Sequence, residues 1–449
     1  MSSGLAGPAH QAHFGRHHSN VVEVLAVACD ALRWVANSAV DSEGGVAWPE
    51  IAGSGQPTAD DVYSGTSGVL LALSEARLSG IDEFDATASL AASRLQHLAA
   101  FPTSLDPAAD PGQPGDSGLY TGQAGYCSAL RCWAQASGDA HSAAAASDLT
   151  VHLASWSQIS GADAPFSRYR DLLLGEAGVL ISLLDEGSAE ANAAAALIAN
   201  RLVSAARPEG SGLDWYAHDD FTYYMPNFSH GCAGISYALA RAGSELNRPD
   251  LLDVATAGAA RLLDLGARSD GSLLVPHSVP TRNPDFPYSY GWCHGPTGTL
   301  RLFSLLDQLL PGAGWDAHVR GCRQAVLRSG LPARLRPGFW DNLGQCCGTA
   351  GVGEMALDAY QETADVQWLD WADELSRDVL ARAISDDTGT RWSNTEHTVS
   401  PPDLPPHCGW MQGTAGIAGW LLRLARVHDQ GVESPCLDRP DGQPLCAAG

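Results

Sequence analysis

Positive charge is scarce in this chain: Lys and Arg together number 26 against 51 Asp and Glu, a formal net charge of −25. Nucleic-acid backbones and anionic membranes both need local positive potential, so this balance argues against either as a partner. It permits a basic peptide partner, and it equally fits an acidic background composition with no partner behind it. Long apolar runs are missing too, since no stretch approaches eighteen apolar residues. The first thirty residues hold no basic segment followed by an apolar core and a small-residue cleavage site. The expectation is a cytoplasmic, soluble protein without a transmembrane segment. Cysteine is sparse for a disulfide scaffold, at 11 in 449 residues. Cys29, Cys127, Cys132 and Cys322 sit in helical apolar patterns and read as buried thiols. A bridge between Cys436 and Cys446 in the Pro-rich tail is disfavoured in a reducing compartment.

What the chain does have is apolar content of 45% with 48 Gly and 26 Pro, a folded composition rich in turns. Its length alone would suggest two or three domains. An internal repeat overrides that count. From Ser19 to about Ala36, Val22, Leu25, Val27, Ala28 and Leu32 recur at helical spacing. Then comes Tyr63-Ser-Gly-Thr-Ser-Gly68 before an apolar run, and the same Gly-x-x-Gly punctuation returns six more times, with first glycines at 65, 122, 175, 231, 295, 348 and 413. The period is 53 to 65 residues. Between the marks lie more polar, Ala-rich helical stretches: Phe84–Ala99, Ala140–Leu153, Glu190–Ala206, Leu251–Leu265, Trp315–Leu327 and Trp368–Ala383.

A helix pair cannot bury its apolar face alone, so the units must pack side by side. Seven pairs predict an all-α fold, an α/α toroid with seven inner and seven outer helices in one closed domain. An open solenoid is the rival, but neither end carries a polar capping repeat. The expected division is a flexible N-terminus over 1–18, the toroid over 19–425 and a Pro-rich tail over 426–449. The glycines are expected where inner helices crowd together and leave no room for a Cβ, and where a tight turn uses glycine's φ freedom. All seven inner helices then start at one end of the ring, where free N–H groups and positive dipole ends gather. Long, strand-like, aromatic loops at 214–228, 273–290 and 389–410 lead into three of these turns and read as pocket walls.

Two of the turns carry thiols. Tyr290-Gly-Trp-Cys-His-Gly295 places Cys293 two residues before its glycine, and Gln345-Cys-Cys-Gly348 places Cys346 and Cys347 just before the next. Thiolates near helix N-termini have lowered pKa values and make good metal ligands. Soft ligands converging from adjacent repeats point to zinc. Three protein ligands leave a tetrahedral position open, which is a catalytic arrangement. Cys232 and Cys408, taken singly, read as buried thiols.

These features resemble the LanC family, the lanthionine synthetase cyclases and their LanC-like relatives, over roughly residues 19–425. The resemblance rests on the seven Gly-x-x-Gly helices, Trp292-Cys-His-Gly295, Cys346-Cys-Gly348 and the His230-Gly-x-x-Gly234 turn. It implies Zn2+ held by Cys293, Cys346 and Cys347, with Cys347 standing where most members have histidine. A third thiolate would make a zinc-held substrate thiolate more nucleophilic. It also implies His230 as proton donor or acceptor and Asp171 as a catalytic-site aspartate, although residue pattern alone would make Asp171 a helix cap. The family's arginine four residues before the first zinc cysteine falls on Ser289, and Arg282 could substitute only if its loop folds back. His294 is not a ligand by position and reads as a satisfied polar group or a donor behind the ligands.

The activity implied is addition of a cysteine thiol to a dehydroalanine or dehydrobutyrine, closing a (methyl)lanthionine thioether ring in a ribosomally made peptide. The partner is then a dehydrated precursor peptide. Lacking a phosphate loop, a kinase signature and a dehydratase-sized N-terminal extension, the chain would rely on a separate dehydratase or kinase-lyase. Two alternatives stay open: a non-catalytic, zinc-bearing peptide-binding subunit, and a thiol-adding enzyme of the glutathione type. Glycosidases on the same architecture need paired carboxylates, and terpene cyclases an Asp-rich magnesium motif; neither explains the cysteines.

Overall fold

The computed structural model describes residues 8–161, 163–333, 342–393 and 404–441. Fourteen α-helices alternate between an outer and an inner layer among these residues. In chain order they are α1 (Pro8–Asn37), α2 (Thr66–Leu78), α3 (Asp85–Ala100), α4 (Gln123–Ser137), α5 (Ala140–Ser160), α6 (Glu176–Glu186) and α7 (Ala189–Ala205). Then follow α8 (Cys232–Glu245), α9 (Pro249–Leu265), α10 (Pro296–Leu309), α11 (Asp316–Leu327), α12 (Thr349–Thr363), α13 (Val366–Ala381) and α14 (Thr414–Gln430). Even-numbered helices are inner and odd-numbered ones outer. Inner helices are buried all round, as α14 is from Thr414 to Val427. Outer helices bury a single stripe, such as Ala88, Ala91, Ala92, Leu95 and Ala99 of α3.

The ring closes. Helix α1 packs on α14, and α14 packs on α2, so the first and last helices of the ring meet. Closure is also written in the backbone: the residue two places before each first glycine donates its N–H to its counterpart in the following turn. Tyr63 bonds Tyr120 at 2.9 Å, Tyr120 bonds Leu173, Leu173 bonds Ser229, Ser229 bonds Cys293, Cys293 bonds Cys346, and Cys346 bonds Met411. Met411 returns to Tyr63 at 3.0 Å. Each repeat thus satisfies a buried backbone donor that its own turn leaves free.

Glycine is required there by crowding rather than by φ freedom. The seven first glycines have φ between −161° and −113°, which any residue adopts. A Cβ on Gly231, however, would stand 1.6 Å from the Met225 carbonyl oxygen.

The expected outer helices recur within about two residues at most boundaries. Helix α5 runs on to Ser160, past the expected Leu153, through a serine-rich stretch whose last residues, Ile159 among them, are exposed, and it stops at Gly161 with φ +94°. Helix α1 begins at Pro8, ahead of the apolar spacing that starts near Ser19. Short hairpins, such as Arg207–Glu209 paired with Gly212–Asp214, follow outer helices. A tryptophan inside the second strand of one hairpin, and just past two others, sends its indole N–H back to a carbonyl thirteen residues earlier: Trp48 to Val35, Trp215 to Leu202 and Trp392 to Val379. The 214–228 and 273–290 loops meet through one bridge, Tyr224 with Val279, and otherwise carry only the short strand ends at 214 and 273–274. The third wall lies partly outside the described residues, as does Cys446. After α14 the chain turns into the ring's bore, where Leu437 and Asp441 are buried. Among the described residues no helix is long and apolar enough to cross a membrane.

Candidate metal centre

Because the backbone ring places Cys293 and Cys346 at equivalent points of adjacent repeats, their side chains emerge side by side. Cys347 enters from the following position. The three sulfurs lie within 4.8 Å of one another; Cys293 Sγ is 3.2 Å from Cys347 Sγ, which is 3.4 Å from Cys346 Sγ. These are thiols and not a disulfide, and all the described cysteines are free. Two thiolates on one zinc at the usual 2.3 Å bond would stand roughly 3.8 Å apart, within the observed spread. Cys293 and Cys346 are buried while Cys347 is half-exposed, so the cluster has one accessible side. This cluster can bind a metal.

The protons are unevenly held. Hydrogen bonds from Cys293 and Cys347 keep Cys346 well below the ordinary thiol range against the pull of burial, helped by the Tyr63 hydroxyl and the charge of His230. The same hydrogen bonds push Cys293 and Cys347 well above it. The ionised form is thus most favoured at Cys346, beside two thiols that can donate to it, and deprotonation of all three would make the cluster a ligand set.

His230 and His294 each immediately precede the first glycine of their turns, as Cys347 does in the next. Hence the two histidines and the thiol follow one another around the rim. The His230 and His294 rings lie 5.5 Å apart, centroid to centroid. Asp171 is fully buried, and its carboxylate has two separate duties. Oδ1 accepts the Leu174 N–H at 2.6 Å, the turn-locking bond that Asp61 makes to Ser64 in the first repeat. Oδ2 faces His230 Nδ1 at 3.0 Å. Burial disfavours a charged imidazole, but the Asp171 carboxylate outweighs it by charge and hydrogen bond and lifts His230 above its ordinary 6.5; Cys346 adds to the lift.

The expected residues Cys293, Cys346, Cys347, His230 and Asp171 therefore gather at one end of the ring. Cys232 and Cys408 are buried elsewhere; the Cys232 thiol donates to the Gly258 carbonyl. Ser289 is buried, and Arg282 is exposed with its guanidinium 4.3 Å over the Tyr223 ring. Two neighbours were not singled out by sequence. Tyr63 hydrogen-bonds Cys346 and receives the Gln412 side-chain N–H at 2.9 Å. It occupies the same ring position as Cys293 and Cys346, so the repeat register held the signal. His277 stacks on His294 at 3.8 Å. It comes from an aperiodic wall loop, where no spacing rule marks it.

A model of the family described as lanthionine synthetase C-like protein matches residues 56–435. No curated protein matches the chain. Among solved structures, nisin cyclase is similar with a TM-score of 0.59 at 14% identity, over 91% of this chain and 94% of its own. A glycoside hydrolase family 76 mannosidase from Bacteroides thetaiotaomicron is similar with a TM-score of 0.52 at 10% identity, over 91% and 99%. At these identities the likeness is one of fold, and the two names differ in chemistry, so activity must be argued from the site.

Proposed function

The chain belongs to the lanthionine synthetase C-like family, and from that premise we propose that it is a zinc-dependent cyclase. It adds a peptide cysteine thiol to a dehydroalanine or dehydrobutyrine of the same peptide, forming a thioether ring. The observation that carries this reading is the three-thiol cluster standing beside the His230–Asp171 pair. Zinc held by Cys293, Cys346 and Cys347 would lower the pKa of a substrate thiol and keep it as thiolate.

The chain's own residues do the rest. Asp171, locked through Oδ1 to Leu174, presents Oδ2 to His230 and fixes the imidazole with Nδ1–H toward the carboxylate, leaving Nε2 for the substrate. With its pKa raised by that carboxylate, His230 donates its proton to the α carbon of the enolate left when the thiolate adds. The aromatic walls at 214–228 and 273–290 border the reacting end and limit water there. The peptide arrives already dehydrated, by a separate dehydratase or kinase-lyase in the cytoplasm. Incubation with a dehydrated, cysteine-containing peptide tests this: alkylatable thiol should disappear without change in peptide mass.

A second reading has its own observation. Ser289 stands where the family's arginine is expected, which favours a peptide-binding subunit that keeps the metal and has lost turnover. Tight peptide binding without loss of thiol would support it.

A further inference from the structure

Residues 434–441 climb the bore of the ring toward the cysteine turns. They are pinned low in the bore by α12 and α4: Gln361 donates to the Ser434 carbonyl at 2.8 Å, and Gln135 accepts from Asp438 N–H at 3.1 Å. Higher up, Arg439 pairs with Glu354, which also binds Arg423 at 2.6 Å. Arg423 pairs in turn with Asp358 at 2.7 Å. At the top, Asp441 is 2% exposed. Its Oδ2 accepts the indole N–H of Trp292 at 2.9 Å and lies 3.3 Å from Nε of Arg301. Only about 40 Å³ remains open between Arg439, Pro440, Asp441 and the underside of the turns.

Trp292 precedes Cys293 in the chain. Its ring packs on Tyr120 and Phe228, with centroids 5.1 and 5.7 Å away. Those rings confine the indole sideways but offer no acceptor for its buried N–H. Asp441 supplies that acceptor from below, and a buried N–H left without one is costly. We propose that Asp441 is a positioning residue for the cysteine turn, acting through the indole of Trp292. The tail is thus a built-in support for the site, although Asp441 itself lies beyond the stretch that matches the family. In the zinc reading above, on which this consequence rests, it holds the Cys293 sulfur in register with Cys346 and Cys347.

The test uses the full chain with Asp441→Ala, Asp441→Asn, Trp292→Phe and the Asp441→Ala/Trp292→Phe pair. Amide hydrogen exchange over residues 289–295 is read in metal-free protein, and zinc transfer to a chelator in loaded protein. Asp441→Ala and Trp292→Phe should each speed exchange in the turn about tenfold, and should speed zinc transfer as well. The double variant should be no faster than Trp292→Phe alone. Asp441→Asn keeps an oxygen for the indole but no charge for Arg301, so it should lower Tm while the turn exchanges nearly as in wild type.

Unchanged exchange in Asp441→Ala, or effects that multiply in the double variant, would overturn the proposal. If Asp441→Ala does not fold, the remaining pair decides: Trp292→Phe must loosen the turn and Asp441→Asn must not. A wild-type chain that takes up no zinc, yet shows this exchange pattern, would end the zinc reading and leave the positioning role standing.

Discussion

Oδ2 of Asp171 lies 3.0 Å from Nδ1 of His230, while Oδ1 of the same carboxylate holds the Leu174 amide. The turn-shaping contact and the histidine contact are therefore not alternatives. One oxygen holds the third turn and the other favours the charged form of the histidine of the fourth. His230→Ala should slow ring closure by roughly 10²- to 10⁴-fold, the usual worth of general acid–base help, with zinc content unchanged. Metal analysis beside the rate checks both halves; a fall in zinc would make His230 a structural support of the cluster.

The pair also sets a pH dependence. His230 is lifted above 6.5 by Asp171, and the proposed donor is its charged form, so the rate should fall as pH rises through that raised value. Asp171→Asn should move the fall to lower pH. By linkage, the pair's contribution to stability is complete below the free-imidazole value and is lost as pH climbs through the raised one. A profile of rate against pH for both proteins checks the sign.

Purified protein should carry about one zinc per chain, as an open three-thiol site requires. Cys346→Ala should remove most of it, because Cys346 lies in sulfur contact with Cys347 and is the thiol of the cluster whose ionised form is most favoured. Undiminished zinc in the Cys293, Cys346 and Cys347 variants alike would return the cluster to buried thiols.

Crowding at the turns predicts a stability effect away from chemistry. Gly231→Ala forces a Cβ into the Met225 carbonyl, and overpacking of this kind costs about 1–3 kcal/mol. Thermal unfolding should show a lower Tm. A neutral result would mean that the turn can shift at no cost.

If the net charge of −25 recruits a basic leader segment, peptide affinity should drop with added salt, since exposed charges are screened over about 8 Å at physiological ionic strength. Titration of one peptide at low and high salt measures this. Equal affinities would leave the charge as background composition.

Much of this architecture was legible because a repeat states the same fact seven times. The Gly-x-x-Gly register implied helix pairs and a common end for the cysteine turns, and the lack of a polar capping repeat at either end favoured a closed ring over an open solenoid. The backbone ring from Tyr63 through Cys293 and Cys346 to Met411 was not legible, because a main-chain hydrogen bond leaves no mark on residue type. Tyr63 was missed for the opposite reason: its motif was visible, but only the closed ring brings the first turn beside the sixth. His277 comes from an aperiodic wall, and Asp441 from a tail whose composition reads as pendant. Its burial follows from Trp292 and Arg301 needing partners in the bore, and no local pattern announces that.

If the thiol cluster and His230 together direct thioether closure, the protein sets the stereochemistry of the ring. That is read from the diastereomer ratio of the ring formed from a dehydrated, cysteine-containing peptide, with wild-type protein, with Cys346→Ala and with no protein. One dominant diastereomer, formed faster, is expected with wild type alone, and the uncatalysed mixture in the other two reactions. Wild-type protein that holds zinc and binds the peptide, yet leaves both ratio and rate at their uncatalysed values, would contradict that role.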